Sequence, residues 1–275
     1  MATRATSELG CAIEEGVAVV TLERPAKRNA LTWELAEALV DRIRGLHGRD
    51  EVRAVVLTGS GGAFCAGADA TWISGDGERP LPGVSTGPIP RTQRKSPAGP
   101  FHALPRAILA LDKPIVAAIE GPAVGAGLAL ALACDRRFAS ASARLGAVFV
   151  RIGATPDSGL SWFLPRLVGL PEALRLVSTG ELVGAEEALR IGLVDELAEE
   201  GRALEQALAY ARRLATGPSV AIDLARRLVW KSVDASLDAM LDYEEVLGTV
   251  ASATDDYREG TRALVEKRDP RFEGR

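Results

Sequence analysis

In the first half of the chain, short apolar runs typical of strands alternate with apolar residues at helical spacing. Short apolar runs at 17–22, 52–58 and 114–119 predict strands. After the first run, leucine and isoleucine recur at helical spacing behind Thr32, a residue type that favours the N-cap of a helix. A small apolar helix is predicted over 126–133. Because strands and helices alternate, the pattern indicates a layered α/β fold.

The pattern changes twice further along the chain. Residues 74–100 are rich in Gly, Pro and Ser and show little periodicity, which predicts a flexible loop or lid. Beyond about residue 158 the sequence is mostly amphipathic and predicts helices around 171–178, 185–191, 201–216, 219–231, 234–251 and 256–267. We therefore expect a core over residues 1–200 and a helical C-terminal region over 201–275.

Composition and charge argue against several classes of protein. The chain has 275 residues, enough for a sizeable core, and none of its apolar stretches approaches the ~18 residues of a membrane span. A formal net charge of −4 gives no global attraction to nucleic acid or to a membrane, so an anionic ligand must be held locally. Two histidines and three scattered cysteines form no close-spaced metal motif, so we expect no metal site. The N-terminus lacks an apolar secretory segment, which favours a cytoplasmic location.

Three glycine-rich segments, at 64–69, 121–127 and 153–159, carry the candidate chemistry. Each flanks an apolar segment and is predicted to open a helix, where free backbone N–H groups favour negative charge. Two such N–H groups that converge on one point would form an oxyanion hole. For any one segment alone, a tight turn is the alternative. The segments match neither a Walker A motif nor a complete dinucleotide-binding motif, and the chain has no GxSxG.

The order of several motifs resembles the crotonase superfamily of enoyl-CoA hydratases and isomerases. The motifs are ERPAKRNAL at 23–31, FCAGAD at 64–69, AIEGPAVGAG at 118–127, LPRLVG at 164–169 and IGLVD at 191–195, with Cys134 and Asp135 in between. The resemblance implies a crotonase-like spiral of ββα units, a C-terminal region that trimerises, and a homotrimer or homohexamer. It also implies an acyl-CoA substrate and no separate cofactor, because coenzyme A is part of the substrate.

The resemblance also assigns roles to single residues. The backbone N–H groups of Ala68 and Ala126 would hold the thioester oxygen. The phosphates of coenzyme A would be bound by basic side chains, which are Arg24, Lys27, Arg28 and, from the same or a neighbouring subunit, Lys267 and Arg268. The alternative for these basic side chains is a solvated surface.

Other residues complete the predicted substrate site. They are the loop residues Ala66, Gly67, Asp69 and Gly125, and the aromatic residues Phe149 and Trp162. The aromatic pair would line the acyl pocket, with plain core packing as the alternative. Asp69 is expected to brace its loop, and Glu120 and Asp135 are expected to make structural hydrogen bonds.

The chain departs from the hydratases of this family at two acidic positions, which here carry Ala129 and Phe149. Hydration must activate a water and protonate the α-carbon, so the loss of both carboxylates argues against ordinary hydration. Asp157 remains at a position where the resemblance places an aspartate in dienoyl-CoA isomerases, ring-epoxide isomerases and chlorobenzoyl-CoA dehalogenases. One base suffices for a 1,3-proton shift when an oxyanion hole stabilises the enolate, so we expect a double-bond or ring isomerase. The alternative for Asp157 is a helix N-cap.

Other functions stay open at this point. They are an enoyl-CoA hydratase with an atypical site, a catalytically silent acyl-CoA-binding protein, and a dehalogenase in which Asp157 attacks the substrate. RNA binding is not expected, because the helix after Thr32 mixes acidic and basic residues.

Overall fold

The computed structural model describes residues 7–74 and 99–275, apart from the side chain of Trp72. The strands in these ranges are β1 (Leu9–Glu14), β2 (Val17–Leu22), β3 (Ala54–Gly59), β4 (Ile115–Ile119), β5 (Pro122–Val124), β6 (Arg136–Ser140), β7 (Arg144–Gly146), β8 (Val183–Gly184) and β9 (Glu196–Ala198). The helices are α1 (Trp33–Leu46), α2 (Ala70–Ile73), α3 (Pro100–Leu109), α4 (Ala126–Ala133), α5 (Leu160–Val168), α6 (Leu170–Thr179), α7 (Ala185–Arg190), α8 (Ala203–Ala215), α9 (Ser219–Ser232), α10 (Leu237–Ser252) and α11 (Asp255–Glu266).

The larger of two sheets has six strands in the order β1-β2-β3-β4-β6-β9. Its strands run parallel except for β1, which pairs antiparallel with β2. Parallel strands place their carboxyl ends at one edge, where open α/β sheets bind ligands. The segments that leave β2, β3 and β4 at this edge carry the ERPAKRNAL, FCAGAD and GPAVGAG motifs. The sheet therefore brings the three motifs together.

The smaller sheet has the order β5-β7-β8, with β5 parallel and β8 antiparallel to β7. Isolated parallel β-bridges join the segments that follow successive strands of the large sheet. Leu31 pairs with Ala68, and Cys65 pairs with Ala123. Each turn of the chain thus adds a strand to the large sheet and a short extended segment beside it. This arrangement is the spiral α/β architecture expected from the sequence.

The large sheet is covered on both faces. In β2, Ala18, Val20 and Leu22 face a core built with α1, α3, α4 and α5, whereas Val17 and Val19 face α8. Three alanines spaced four apart on α8, Ala207, Ala211 and Ala215, let this helix lie close to the sheet. Helix α8 thus builds a second, smaller buried cluster on the face of the sheet opposite α1.

Most elements lie where the apolar pattern predicts them, and a few do not. The strands over 17–22, 52–58 and 114–119, the helix over 126–133 and the C-terminal helices are confirmed within a few residues. Pro100 belongs to α3 rather than to the predicted 74–100 loop, and residues 75–98 of that loop lie outside the described residues. Among the helices of the described ranges, none is both long and apolar enough to cross a bilayer.

Candidate active site

The FCAGAD loop is held against the end of the ERPAKRNAL segment by a parallel bridge. The N–H of Leu31 donates to the carbonyl of Gly67 (2.7 Å), and the N–H of Asp69 donates to the carbonyl of Leu31 (2.9 Å). Both hydrogen bonds are made by the residues on either side of Ala68, namely Gly67 and Asp69. The N–H of Ala68 therefore points away from Leu31, because alternate backbone groups of an extended segment face opposite sides.

The N–H of Ala126 has no acceptor among residues 7–74 and 99–275, for a different reason. Ala126 is the first residue of α4, so its N–H has no acceptor within the helix and lies at the positive end of the helix dipole. Gly125 sets the entry into the helix with φ of 55° and ψ of −122°, a conformation outside the usual range of residues with side chains.

Gly67 lets the two segments that carry these N–H groups approach closely. Its φ is +91°, and a Cβ built on it would lie 2.9 Å from the carbonyl oxygen of Val124 and 3.6 Å from the nitrogen of Ala126. The loops are also joined by the Cys65–Ala123 bridge, in which the N–H of Cys65 donates to the carbonyl of Pro122 (3.0 Å). The predicted pair, Ala68 and Ala126, thus lies on two loops in direct contact, as an oxyanion hole requires.

An apolar cavity begins at this point. It is lined by Leu31, Phe101, Leu104, Pro105, Ala126, Leu130 and Ser158. Helix α3 therefore supplies one wall, α4 another, and the PDSG segment the third. The walls are largely apolar, but a cavity of about 10 Å³ is too small for an acyl chain, so the walls must separate before a substrate enters.

Asp157 precedes Ser158 of that wall, in the turn that leads into α5. Its carboxylate is exposed in the single chain and accepts a hydrogen bond from the Ser158 hydroxyl, with 2.8 Å between Oδ1 and Oγ. The N-cap of α5 is Gly159, and the first turn of this helix receives no side-chain cap. The capping alternative for Asp157 is therefore wrong.

The two positions where the resemblance places the acids of hydratases carry no carboxylate. Ala129 is fully buried in α4, and Phe149 is nearly buried in a 3-10 helix over Val148–Ile152. Cys65 lies beside the oxyanion loops, but burial raises the pKa of its thiol to about 12, so it is not a nucleophile at neutral pH. In the described part of the chain, no three His, Cys, Asp or Glu side chains are grouped so as to hold a metal ion.

Asp69 is buried, and its contacts brace the loop. Its Oδ2 accepts from Arg24 (2.8 Å), and its Oδ1 accepts from the backbone N–H (3.0 Å) and the hydroxyl of Thr71. Burial on its own would raise the pKa of this carboxyl, but the hydrogen bonds from Thr71 and Arg24 outweigh burial and lower the pKa to about 2. Asp69 is therefore held ionised in a structural ion pair.

Asn29 is a structural residue that the sequence did not single out. It is fully buried in a left-handed conformation with φ of 56°. Its amide donates to the carbonyls of Ser60 (2.9 Å) and Ala63 (2.7 Å), and its Oδ1 accepts from the N–H of Arg24 (2.8 Å). The only signal in the sequence was an asparagine in a loop, a residue type that tolerates this conformation.

The basic residues predicted to bind phosphate divide into two groups. Arg24 is largely buried, where it contacts Glu8 and the carbonyl of Ala30 in addition to Asp69, and Arg268 is paired with Glu259 and Glu266. By contrast, Lys27, Arg28 and Lys267 are exposed, and none of the three has a side-chain ion pair within residues 7–74 and 99–275. Ala66 joins the segment of Arg28 to the FCAGAD loop, because its N–H donates to the carbonyl of Arg28 (2.9 Å).

The two predicted aromatic residues lie in different elements, Trp162 in α5 and Phe149 in the 3-10 helix. Trp162 packs against Phe163 (4.9 Å between ring centroids) and Trp230 (6.0 Å), and Arg166 stacks on it, so its described contacts are not with the cavity wall. Phe149 belongs to the main core, and the substrate contacts of both residues stay predictions.

Asp135 and Glu120 make the structural hydrogen bonds expected of them. Asp135 accepts from Arg226 (2.7 Å), from the indole of Trp230 (2.9 Å) and from the N–H of Ile115 (2.8 Å). Arg226 also donates to the carbonyls at the end of α3, which fixes the helix that forms a cavity wall. Glu120 accepts from the N–H of Ala203 (2.8 Å) at the start of α8.

The spiral α/β fold brings the loop of Ala68 against the start of α4, where Ala126 lines a small apolar cavity. Two backbone N–H groups without an acceptor among the described residues are the kind of donors that can stabilise negative charge on an oxygen. The family model for enoyl-CoA hydratase/isomerase matches residues 12–275. The chain belongs to this family, the crotonase family, and has its fold, with two sheets and C-terminal helices.

Individual relatives cover nearly the whole chain. It is 32% identical to the 1,2-epoxyphenylacetyl-CoA isomerase of Escherichia coli K12 over 96% of this chain and 97% of that protein. It is 33% identical to the 2,3-dehydroadipyl-CoA hydratase of the same organism over 98% of this chain and all of that protein. A crystal structure from Streptomyces coelicolor A3(2), described as an enoyl-CoA hydratase, has a TM-score of 0.89 at 39% identity and covers 100% of this chain and 97% of that one. Most of the similar relatives carry hydratase names.

Proposed function

We propose that this protein is an acyl-CoA isomerase that moves a double bond or rearranges a ring with Asp157 as its base. The observation that carries the proposal is the cavity wall: Ser158, next to Asp157, lines the same cavity as Ala126. Carboxylates are missing from the two hydratase positions, where Ala129 and Phe149 stand. The similarity to an isomerase of an epoxide-bearing acyl-CoA also supports a reaction other than hydration.

The proposed mechanism uses the backbone and one side chain. The N–H groups of Ala68 and Ala126 donate to the thioester oxygen, which lowers the energy of an enolate. Asp157 removes a proton from one carbon of the acyl group and becomes a carboxylic acid. Because this carboxyl is exposed, its proton exchanges with solvent before the acid delivers a proton to another carbon. The base ends the cycle as a carboxylate, so no water, oxidant or second acid is consumed.

Coenzyme A itself is held, in this proposal, by exposed cations near the site. Lys27 and Arg28 lie in the segment that also contacts the FCAGAD loop, and both side chains are exposed, so they can meet phosphates. Arg24 contributes by supporting this segment through Asp69. Lys267 at the end of α11 is a further phosphate contact, from the same or a neighbouring subunit.

A homotrimer or homohexamer is part of the proposal, with residues 201–275 as the assembling region. Helices α10 and α11 carry large apolar side chains that are exposed in the single chain, namely Leu237, Leu241, Val246, Val250, Leu264 and Val265. Large apolar side chains exposed together on neighbouring helices support an interface there.

An enoyl-CoA hydratase with an atypical site is the second candidate, because most of the similar relatives carry hydratase names. The experiment that separates the two is incubation of the purified protein with 2-enoyl-, 3-enoyl- and aryl-CoA esters in deuterium oxide, followed by mass spectrometry. An isomerase incorporates deuterium into the acyl group without adding water. A hydratase adds water to the 2-enoyl ester, and a silent binding protein changes none of the esters.

A further inference from the structure

The turn that carries Asp157 into α5 has an unusual central residue. Ser158 and Gly159 have φ of 53° and 84°, and the N–H of Leu160 donates to the carbonyl of Asp157 (2.8 Å). Two positive φ values closed by this bond characterise a type I′ turn, in which Gly, Asn and Asp are favoured at the central positions. Serine in a left-handed conformation is strained, and strain of this kind persists where the surrounding structure supports a function.

The side chain of Ser158 links the cavity to Asp157. Ser158 is 5% exposed and lines the cavity together with Ala126. Its hydroxyl donates to Oδ1 of Asp157 at 2.8 Å, whereas the carboxylate of Asp157 is exposed. In the described parts of the chain, no group donates a hydrogen bond to the second carboxylate oxygen, Oδ2 of Asp157. One carboxylate oxygen is therefore occupied by Ser158, and the other is left for a proton.

We propose that Ser158 is a positioning residue that orients the Asp157 carboxylate, so that Oδ2 faces the bound acyl group. This inference rests on the proposed role of Asp157 as the base. The terminal torsion of an aspartate is broad, so an exposed carboxylate without the Ser158 bond samples many orientations. Fixing one of them raises the fraction of time in which the base is aligned with the proton. The Ser158 hydroxyl keeps its own proton throughout the reaction.

Two substitutions separate the hydroxyl from the strained backbone. Ser158→Ala removes the hydroxyl and keeps a side chain at positive φ, whereas Ser158→Gly removes the hydroxyl and relieves the strain. If the hydroxyl orients the base, both variants lose kcat for deuterium exchange by about tenfold, with KM within about twofold of the wild type. If Ser158 only shapes the turn, Ser158→Ala keeps the wild-type kcat, and the inference is overturned.

A double variant tests whether Ser158 acts through Asp157. When Asp157→Asn has already removed the base, adding Ser158→Ala should slow exchange no further, since residues that act as a unit are not additive. A further loss in the double variant would mean that Ser158 acts independently of Asp157. Because glycine tolerates the positive φ, Ser158→Gly should unfold at a temperature no lower than Ser158→Ala. If the alanine variant is unstable, the exchange rate is therefore measured on the glycine variant.

The outcomes distinguish this inference from the proposed function. Full exchange in Asp157→Asn overturns both, because the base is then elsewhere. Loss of exchange in Asp157→Asn together with full exchange in Ser158→Ala leaves Asp157 as the base and overturns only the role of Ser158.

Discussion

At the scale of single residues, the conformation of Gly67 decides how closely the two oxyanion loops approach. A Cβ at this position would lie 2.9 Å from the carbonyl oxygen of Val124, closer than van der Waals contact permits, and the φ of +91° disfavours any side chain. Neither loop can move away freely, because the Cys65–Ala123 bridge joins them. A side chain at position 67 must therefore displace the N–H of Ala68 relative to that of Ala126.

Gly67→Ala should reduce deuterium exchange by about 10²-fold or more, the usual effect of losing one oxyanion-hole donor. Gly48→Ala is the matched control, because Gly48 also has a positive φ (+70°) but has no atom within 4 Å of the added Cβ. Exchange rates and thermal unfolding of both variants should be measured. A folded Gly67→Ala variant with the wild-type rate would exclude this pair of donors.

The exposed cations Lys27 and Arg28 should hold the phosphates of coenzyme A. Replacing both by alanine is expected to weaken acyl-CoA binding by about tenfold at low salt and by less at high salt, because salt screens exposed charges. Calorimetry at two salt concentrations measures the difference. Arg190→Ala on α7, which removes an exposed arginine paired with Glu187, is the control. Equal affinity of the double variant and the wild type at low salt would place the phosphates elsewhere.

At the scale of elements, the ion pair between Arg24 and Asp69 joins the end of β2 to the start of α2. Both side chains are largely shielded from solvent, and the bond is 2.8 Å long. A pairing of residues 45 positions apart is set by the tertiary fold rather than by a local pattern. Removing one partner leaves the other charge buried without its counterion, and this lowers the free energy of unfolding.

The stability that Asp69 contributes should depend on pH. Its pKa of about 2 in the folded chain lies below its ordinary value of 3.8. The stabilisation is therefore fully present above the ordinary pKa, is worth about 2 kcal/mol there, and is lost as the pH falls toward 2. Urea unfolding at about pH 6, 4 and 3 should show a large deficit for Asp69→Asn at pH 6 that shrinks at pH 3. Asp255→Asn, in an exposed pair with Arg258, is the control, and an equal deficit at every pH would contradict this account.

The elements that could be predicted from the sequence are those with an unbroken apolar pattern. The central strands β2, β3 and β4 are covered on both faces, and Thr32 caps α1 by accepting the N–H of Leu35 (3.1 Å), as predicted. Strand β1 was missed because it lies at the edge and is half exposed. Helix α3 was missed because Pro105 stands inside it, and proline ordinarily breaks a helical pattern.

The candidate site was predictable to a similar degree. The backbone donors could be predicted because the motifs that carry them contain glycines. At Gly67 the structure shows why a glycine is needed, since a Cβ would collide with the carbonyl oxygen of Val124. The surroundings of Asp157 could not be predicted, because its bond to Ser158 depends on a tight turn, and the wall that faces it comes from α3, more than 50 positions away. Contacts between distant segments leave no periodic signal in a single sequence.

At the scale of the whole molecule, the C-terminal helices present more apolar surface than the rest of the chain covers. Leu264 and Val265 are 79% and 83% exposed on α11. Light scattering should therefore give a mass three or six times the 29.0 kDa of one chain.

Replacing Leu264 and Val265 together by aspartate should lower that mass, because charge on a buried interface is unfavourable. Leu170→Asp on α6, a similarly exposed leucine outside residues 201–275, should leave the mass unchanged. A wild-type mass near 29.0 kDa would contradict the proposed assembly, and dissociation by Leu170→Asp alone would place the interface elsewhere.

We propose that this spiral fold brings one carboxylate, Asp157, to a substrate whose oxygen is held by two backbone N–H groups. The most direct test is the rate of deuterium exchange into an acyl-CoA ester by Asp157→Asn, beside the wild type and the Asp255→Asn control. Asparagine keeps the shape and can still accept from Ser158, but it is not a base. The account predicts a loss of about 10²-fold or more with acyl-CoA affinity retained. Exchange at the wild-type rate in Asp157→Asn would contradict it.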